Sequence, residues 1–185
     1  MAYIKTIEDA EATGELKNKY QELKQKRGKI SNILKIHSLM PQTLSDHLQL
    51  YTHIMFNKST IKRADKELIA VIVSTLNNCP YCINHHIEAL NYYWKDKVKI
   101  KELIETLDYS KLTPKQQAIL NYAQTLTKKP YQINKKMILE LKQHDISDKE
   151  LLEINLIISY FNFVNRIALG LGVEFSEEEL KGYDY

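Results

Sequence analysis

Only five glycines and four prolines punctuate the 185 residues, and that scarcity limits the fold more than any other feature. Hairpins and tight turns draw on Gly at positive φ and on Pro, so a chain this poor in both is suited to helices joined by short connections. The apolar spacing agrees. Pro41 opens a stretch carrying Leu44, Leu48, Tyr51 and Met55, three to four residues apart as an amphipathic helix requires. Ahead of it, Gly14 to Lys26 reads as a Lys/Glu-rich helix, and Ser31 or Asn32 caps a short one bearing Ile33, Leu34, Ile36 and Leu39. The run Ile61 to Leu76 contains Val71-Ile72-Val73, which also suits a strand. Its length, and the lack of turn residues before Asn77, favour a helix. Further helices are expected from Cys79-Pro80 to about Lys95, then over 99–107, 114–128, 134–144 and 147–170. Ser147 with Glu150 has capping-box spacing. The acidic tail after Glu174 is expected to be partly ordered at most. No linker divides the chain, so it reads as one all-α, compact multi-helix domain over residues 1–185.

Charge narrows the function. Twenty-six basic and 23 acidic residues leave a formal charge of +3, and the lysines are interleaved with acids. Nucleic-acid affinity needs concentrated positive charge, so no nucleic-acid partner is expected. Met1 to Glu15 contains several acids and no apolar core of a targeting signal. The apolar run Leu68 to Leu76 is far too short to span a bilayer. The expectation is a cytoplasmic protein with no membrane association.

The two cysteines, Cys79 and Cys82, are three positions apart. Such a pair closes too small a loop to staple a fold, and points to redox chemistry or metal binding. Proline is tolerated in the first turn of a helix, where its missing N–H has no partner to lose. Pro80 therefore sets Cys79 at a helix N-terminus and Cys82 within the first turn. Unpaired backbone N–H groups and the helix dipole favour an anion there, which lowers a thiol pKa. His86 follows Cys82 by four residues and shares its helix face, where an imidazole can accept or return a thiol proton. Glu67, on the preceding helix, is placed to orient that imidazole if the two helices fold back on each other.

Glu67, the Cys79-x-x-Cys82 pair and His86 together resemble the signature of the alkylhydroperoxidase-D-like branch of the carboxymuconolactone decarboxylase superfamily. Tyr160-Phe161-Asn162-Phe163-Val164-Asn165-Arg166 and Leu171-Gly172-Val173 resemble the C-terminal block of its "peroxidase-related" members. Leu112-Thr113-Pro114, Ala123, Leu126-Thr127 and Pro130 lie between the two in the family's order. The family-like core covers about residues 30–175. The resemblance implies an all-α fold assembled as a homo-oligomer, trimer or hexamer. It also implies a cofactor-free thiol peroxidase or disulfide oxidoreductase acting on hydroperoxides. By the same resemblance Cys82 is the attacking thiol, Cys79 the resolving thiol, and His86 and Glu67 the proton relay. A thioredoxin-like or lipoyl-bearing protein would return the electrons. One position departs from the pattern: the residue before the second cysteine is Tyr81 instead of histidine. A phenol is a poor base near neutral pH, so the relay is shortened or rerouted, with Tyr81 and His85 as accessory candidates.

Other readings of the same residues stand beside this one. Two close cysteines can simply be small buried hydrophobes. Cys79, Cys82 and His86 with His85 or Glu67 make up a donor set for zinc, although structural zinc sites usually draw on two separate ligand pairs. Ile83 occupies the position that a c-type haem motif gives to histidine. A redox sensor, or a decarboxylase-type acid–base enzyme of the same superfamily, are further alternatives. His37, His47, His53 and His144 have no partner pattern and read as surface or packing residues. Asn162, Asn165 and Arg166 read as a polar network holding helices or subunits in register.

Overall fold

A computed structural model describes residues 2–180. Ten α-helices are present among them: α1 Gly14–Arg27, α2 Asn32–Lys35, α3 Pro41–Met55, α4 Arg63–Leu76, α5 Pro80–Trp94, α6 Lys97–Thr106, α7 Pro114–Lys128, α8 Lys135–Lys142, α9 Asp148–Gly170 and α10 Glu177–Leu180. The described residues contain no strand, and the architecture is all-α. Proline stands in the first turn of α3, α5 and α7. Both α7 and α9 open with a capping box, Thr113 with Gln116 and Ser147 with Glu150, each pair satisfying two otherwise orphaned N–H groups.

The centre of the fold is α4, in which every residue from Lys66 to Ser74 is buried. Val71, Ile72 and Val73 are fully enclosed, so the run that also suited a strand is a helix covered on all sides. Helices α5, α7 and α9 supply that cover. Two buried charges cross this packing. Lys66 Nζ donates to the Ile54 carbonyl at 3.0 Å and forms an ion pair with Glu153 of α9 at 2.5 Å. The N-terminal segment adds a smaller core of Leu16, Tyr20, Leu23, Leu34 and Leu44, and α3 lies against α9. Near the other end, Gly172 has φ +64°, and a Cβ there would sit 2.6 Å from the Tyr3 ring. Only glycine suits that turn and that close approach.

The tail after Glu174 is ordered as far as it is described. Glu177–Leu180 forms a helical turn, and Glu179 docks against α2 and α5: it accepts from the Asn32 backbone N–H and the Tyr81 hydroxyl, each at 2.8 Å. The tail is held through Glu179 because a single carboxylate satisfies both donors. Residues 181–185 lie outside the described part of the chain. No helix of the described residues is long and apolar enough to cross a membrane.

Candidate active site

The turn from α4 into α5 builds the site. Asn78, at φ +52°, adopts the left-handed conformation that Asn tolerates, and Cys79 follows as the N-cap of α5. Both cysteines are free thiols and both are buried. Cys82, but not Cys79, lines a cavity of about 390 Å³ walled by α1, α2, α3, α5 and α9, with Arg63 at the start of α4.

His86, one turn beyond Cys82, lines the same cavity. Its Nδ1 lies 2.6 Å from Glu67 Oε2. Glu67 is wholly buried in α4, and its other oxygen receives Arg63 Nε at 2.7 Å and Nη2 at 2.6 Å. Burial opposes charge on Glu67, but His86 and Arg63 outweigh it and hold the carboxyl below its usual pKa. As a carboxylate Glu67 can only accept, so Nδ1 of His86 carries a proton toward it, and Nε2 is the ring nitrogen left for other partners. Phe161 packs edge-on to the imidazole at 4.5 Å and Arg63 stacks on Phe56 at 3.8 Å, which fixes both groups.

The two thiols are not equivalent. The Cys79 pKa is lowered, chiefly by a hydrogen bond from the Cys82 thiol, with burial opposing and the backbone N–H groups of Cys82 and Tyr81 assisting. The Cys82 pKa is raised, first by that same bond, then by burial and by the charge on Cys79. Of the two, the N-cap sulfur is the one whose thiolate the surroundings favour, as a helix N-terminus does. Asn165 of α9 hydrogen bonds to Cys82 and favours its thiolate. It is held by Asn77, whose amide donates to Asn165 Oδ1 at 3.0 Å, and by its own donation to Ser74 Oγ at 3.2 Å.

Residues 41–125 match the carboxymuconolactone decarboxylase family. That matched segment carries Glu67, Cys79, Cys82 and His86 and is similar to the family over those positions. The Uncharacterized protein YdfG of Bacillus subtilis (strain 168) is 25% identical over 115 residues, covering 62% of this chain and 78% of that one. Among solved structures, the alkylhydroperoxidase AhpD core of an uncharacterized peroxidase-related protein from Ralstonia eutropha JMP134 superposes with a TM-score of 0.85 at 21% identity, covering 97% of this chain and 94% of the other. A peroxidase-related protein from Silicibacter sp. TM1040 gives 0.81 at 23% identity, covering 92% and 89%. A variant of the debrominase Bmp8 in complex with 2,3,4-tribromopyrrole gives 0.77 at 20% identity, covering 94% and 91%. The alkylhydroperoxidase-D-like fold is thus shared with proteins of more than one activity.

Cys82 and His86 share the cavity and Glu67 holds His86 from behind, with Cys79 beneath at the N-cap, while Tyr81 and His85 form a separate cluster. Tyr81 stacks on His85 at 4.2 Å. The Tyr81 carbonyl accepts from His85 Nδ1 at 2.7 Å, and His85 Nε2 is 3.6 Å from Glu179. Neither group is tied to the Glu67–His86 pair. Among the described residues no three His, Cys, Asp or Glu side chains are grouped closely enough to hold a metal ion; Glu67 is committed to Arg63 and His86, and His85 leans toward Glu179. Arg63 does not stand out in the sequence, and nothing there pairs His47 with Tyr160. The readable signal for Arg63 was its place four residues ahead of Glu67. His47 had none: its Nε2 meets the Tyr160 hydroxyl at 2.9 Å across 113 positions of sequence.

Proposed function

We propose that this protein is a thiol-dependent peroxidase in which Cys82 attacks a hydroperoxide bound in the cavity. The observation that carries the reading is the joint exposure of Cys82 and His86 to one cavity, with His86 tied through Nδ1 to a buried carboxylate at 2.6 Å. The Cys82 pKa is raised by its hydrogen bond to Cys79 and by burial, so Cys82 must be relieved of its proton to react. Nε2 of His86 takes that proton, and the imidazolium so formed is stabilised by Glu67. The Cys82 sulfur attacks the terminal peroxide oxygen, the S–O bond forms as the O–O bond breaks, and His86 returns the proton to the departing alkoxide. The products are an alcohol and Cys82 sulfenic acid. Cys79 then attacks the oxidised sulfur, a disulfide forms and water leaves. An external dithiol, on a thioredoxin-like or lipoyl-bearing protein, supplies the two electrons that restore both thiols. By its resemblance to peroxidase-related proteins, the chain is also proposed to work as a homo-oligomer, which sedimentation would reveal.

The test counts free thiols before and after one equivalent of an organic hydroperoxide. The wild type is expected to lose both thiols, Cys82→Ser to stay inert, and Cys79→Ser to stop at a trappable sulfenic acid. Sustained consumption of hydroperoxide with dihydrolipoamide then separates an enzyme from a one-time redox sensor. Thiols that survive the oxidant would overturn the proposal.

A further inference from the structure

The walls and charges of the cavity are more specific than a site for hydrogen peroxide needs. Pockets of this size accept ligands well beyond a peroxide group. Its lining is dominated by apolar and aromatic side chains, among them Leu48, Tyr51, Phe161 and Val164. A run of ring contacts forms one wall: His86 to Phe161 at 4.5 Å, Phe161 to Tyr160 at 5.2 Å, and Tyr160 to Tyr51 at 5.8 Å. At the end of that run Arg27 stands over the Tyr51 ring at 5.3 Å.

The polar part of the lining has one sign. Lys26, Arg27 and Arg63 all border the cavity, and no Asp or Glu does. Arg63 is neutralised from behind by Glu67. Lys26 and Arg27 have no ion pair among the described residues, whereas Lys24, on the same last turn of α1, is paired with Asp9. A cation at a helix C-terminus is ordinarily explained by the dipole alone. That account covers Lys26 and Arg27 as charges. A hydrogen bond to Tyr51 and the ring beneath hold the Arg27 guanidinium above the aromatic wall that leads to Cys82, with its charge still unmatched by any acid among the described residues.

We infer that the cavity takes an amphipathic organic anion, with Arg27 holding a carboxylate and the aromatic wall sheathing an apolar body that reaches toward Cys82. The reacting end rests on the peroxidase reading, so the substrate is a hydroperoxide of a medium-chain carboxylic acid or of an acid of similar shape. The guanidinium suits this task because it offers a planar pair of donors to a carboxylate. Apolar burial along the wall supplies affinity, and the charge sets which end enters first.

Binding can be measured without any turnover. Octanoate and octan-1-ol share one apolar chain and differ in charge, so calorimetric titration of each into the reduced protein isolates the contribution of Arg27. Octanoate is expected to bind more tightly than the alcohol. Arg27→Gln should weaken octanoate about tenfold and leave the alcohol within about twofold, while Arg27→Lys should restore most of the difference. Equal affinity for the two ligands, loss of both alike in Arg27→Gln, or failure of the wild type to bind octanoate would each overturn the inference. The two proposals fail separately. Charge-dependent octanoate binding by a protein whose thiols resist hydroperoxide would leave the anion site standing and remove the peroxidase. Thiol oxidation with charge-blind binding would do the reverse.

Discussion

Cys79 and Cys82 hold each other in unequal states, and that inequality can be tested one atom at a time. Cys82 is raised mainly because its thiol donates to Cys79 and faces the charge there. Replacing Cys79 with serine removes the sulfur responsible for both effects, so the Cys82 pKa should fall toward the ordinary thiol range. Iodoacetamide alkylation followed against pH would show the midpoint moving down, and an unchanged or higher midpoint would reject Cys79 as the cause. His86→Gln addresses the base. It should slow Cys82 oxidation by at least about 100-fold, the low end for a general base, while stopped-flow oxidation still runs to completion and thermal stability is kept. Much of this was legible in the sequence. Pro80 placed the cysteines at a helix start, and the four-residue step placed His86 beside Cys82. Glu67 was tied to them by family resemblance alone, because spacing does not say which helices fold back on each other. Nor does it say which of two neighbouring thiols keeps the proton, since that follows from N–H groups and from Asn165, 83 positions beyond Cys82.

The helices were readable to within a turn because prolines and capping residues mark their starts. α4 shows the limit of such reading: its apolar run is evident, yet Lys66 and Glu67 look like the exposed acids and bases of any helix start. Both are buried, facing different partners. Lys66 answers Glu153 of α9 at 2.5 Å, and it is an ion pair more than an aligned hydrogen bond, since Glu153 Oε1 has no partner of good hydrogen-bond geometry. A buried pair of this kind costs desolvation for both members, so it is worth less than its geometry suggests, whereas a lone survivor is expensive. Glu153→Leu alone should therefore destabilise the protein by about 3–5 kcal/mol. Adding Lys66→Met should recover most of that loss. Denaturant melts of the two singles and the double complete the cycle. A double variant as unstable as the worse single would mean that Lys66 anchors the Ile54 carbonyl more than it answers Glu153.

Across the whole molecule, the N-terminal layer is joined to α9 through a buried histidine, and this gives stability a pH dependence. His47 lies against His37 at 4.8 Å and shares a hydrogen bond with Tyr160. Burial first, then the nearby His37 and Arg27, lowers its pKa to about 4. An unfolded chain restores the ordinary histidine value of about 6.5. Above that pH both states leave His47 neutral and folding is not opposed. As pH falls from about 6.5 toward 4, the unfolded state binds a proton that the folded state refuses, so stability declines with acid. The loss over that window is on the order of 3 kcal/mol from His47 alone. His37, also lowered by burial, acts in the same direction. Glu150 is held at about 2, chiefly by the Ser147 backbone N–H against an opposing burial effect, so its contribution is lost only below the usual carboxylate range. The two windows are therefore separable. His47→Gln keeps a polar partner for Tyr160 and cannot titrate, so urea midpoints for this variant should fall less between pH 7 and 5 than those of the wild type, the remaining fall coming from His37. If variant and wild type lose stability in parallel over that range, the acid sensitivity arises elsewhere and the junction between the N-terminal layer and α9 is not its sensor.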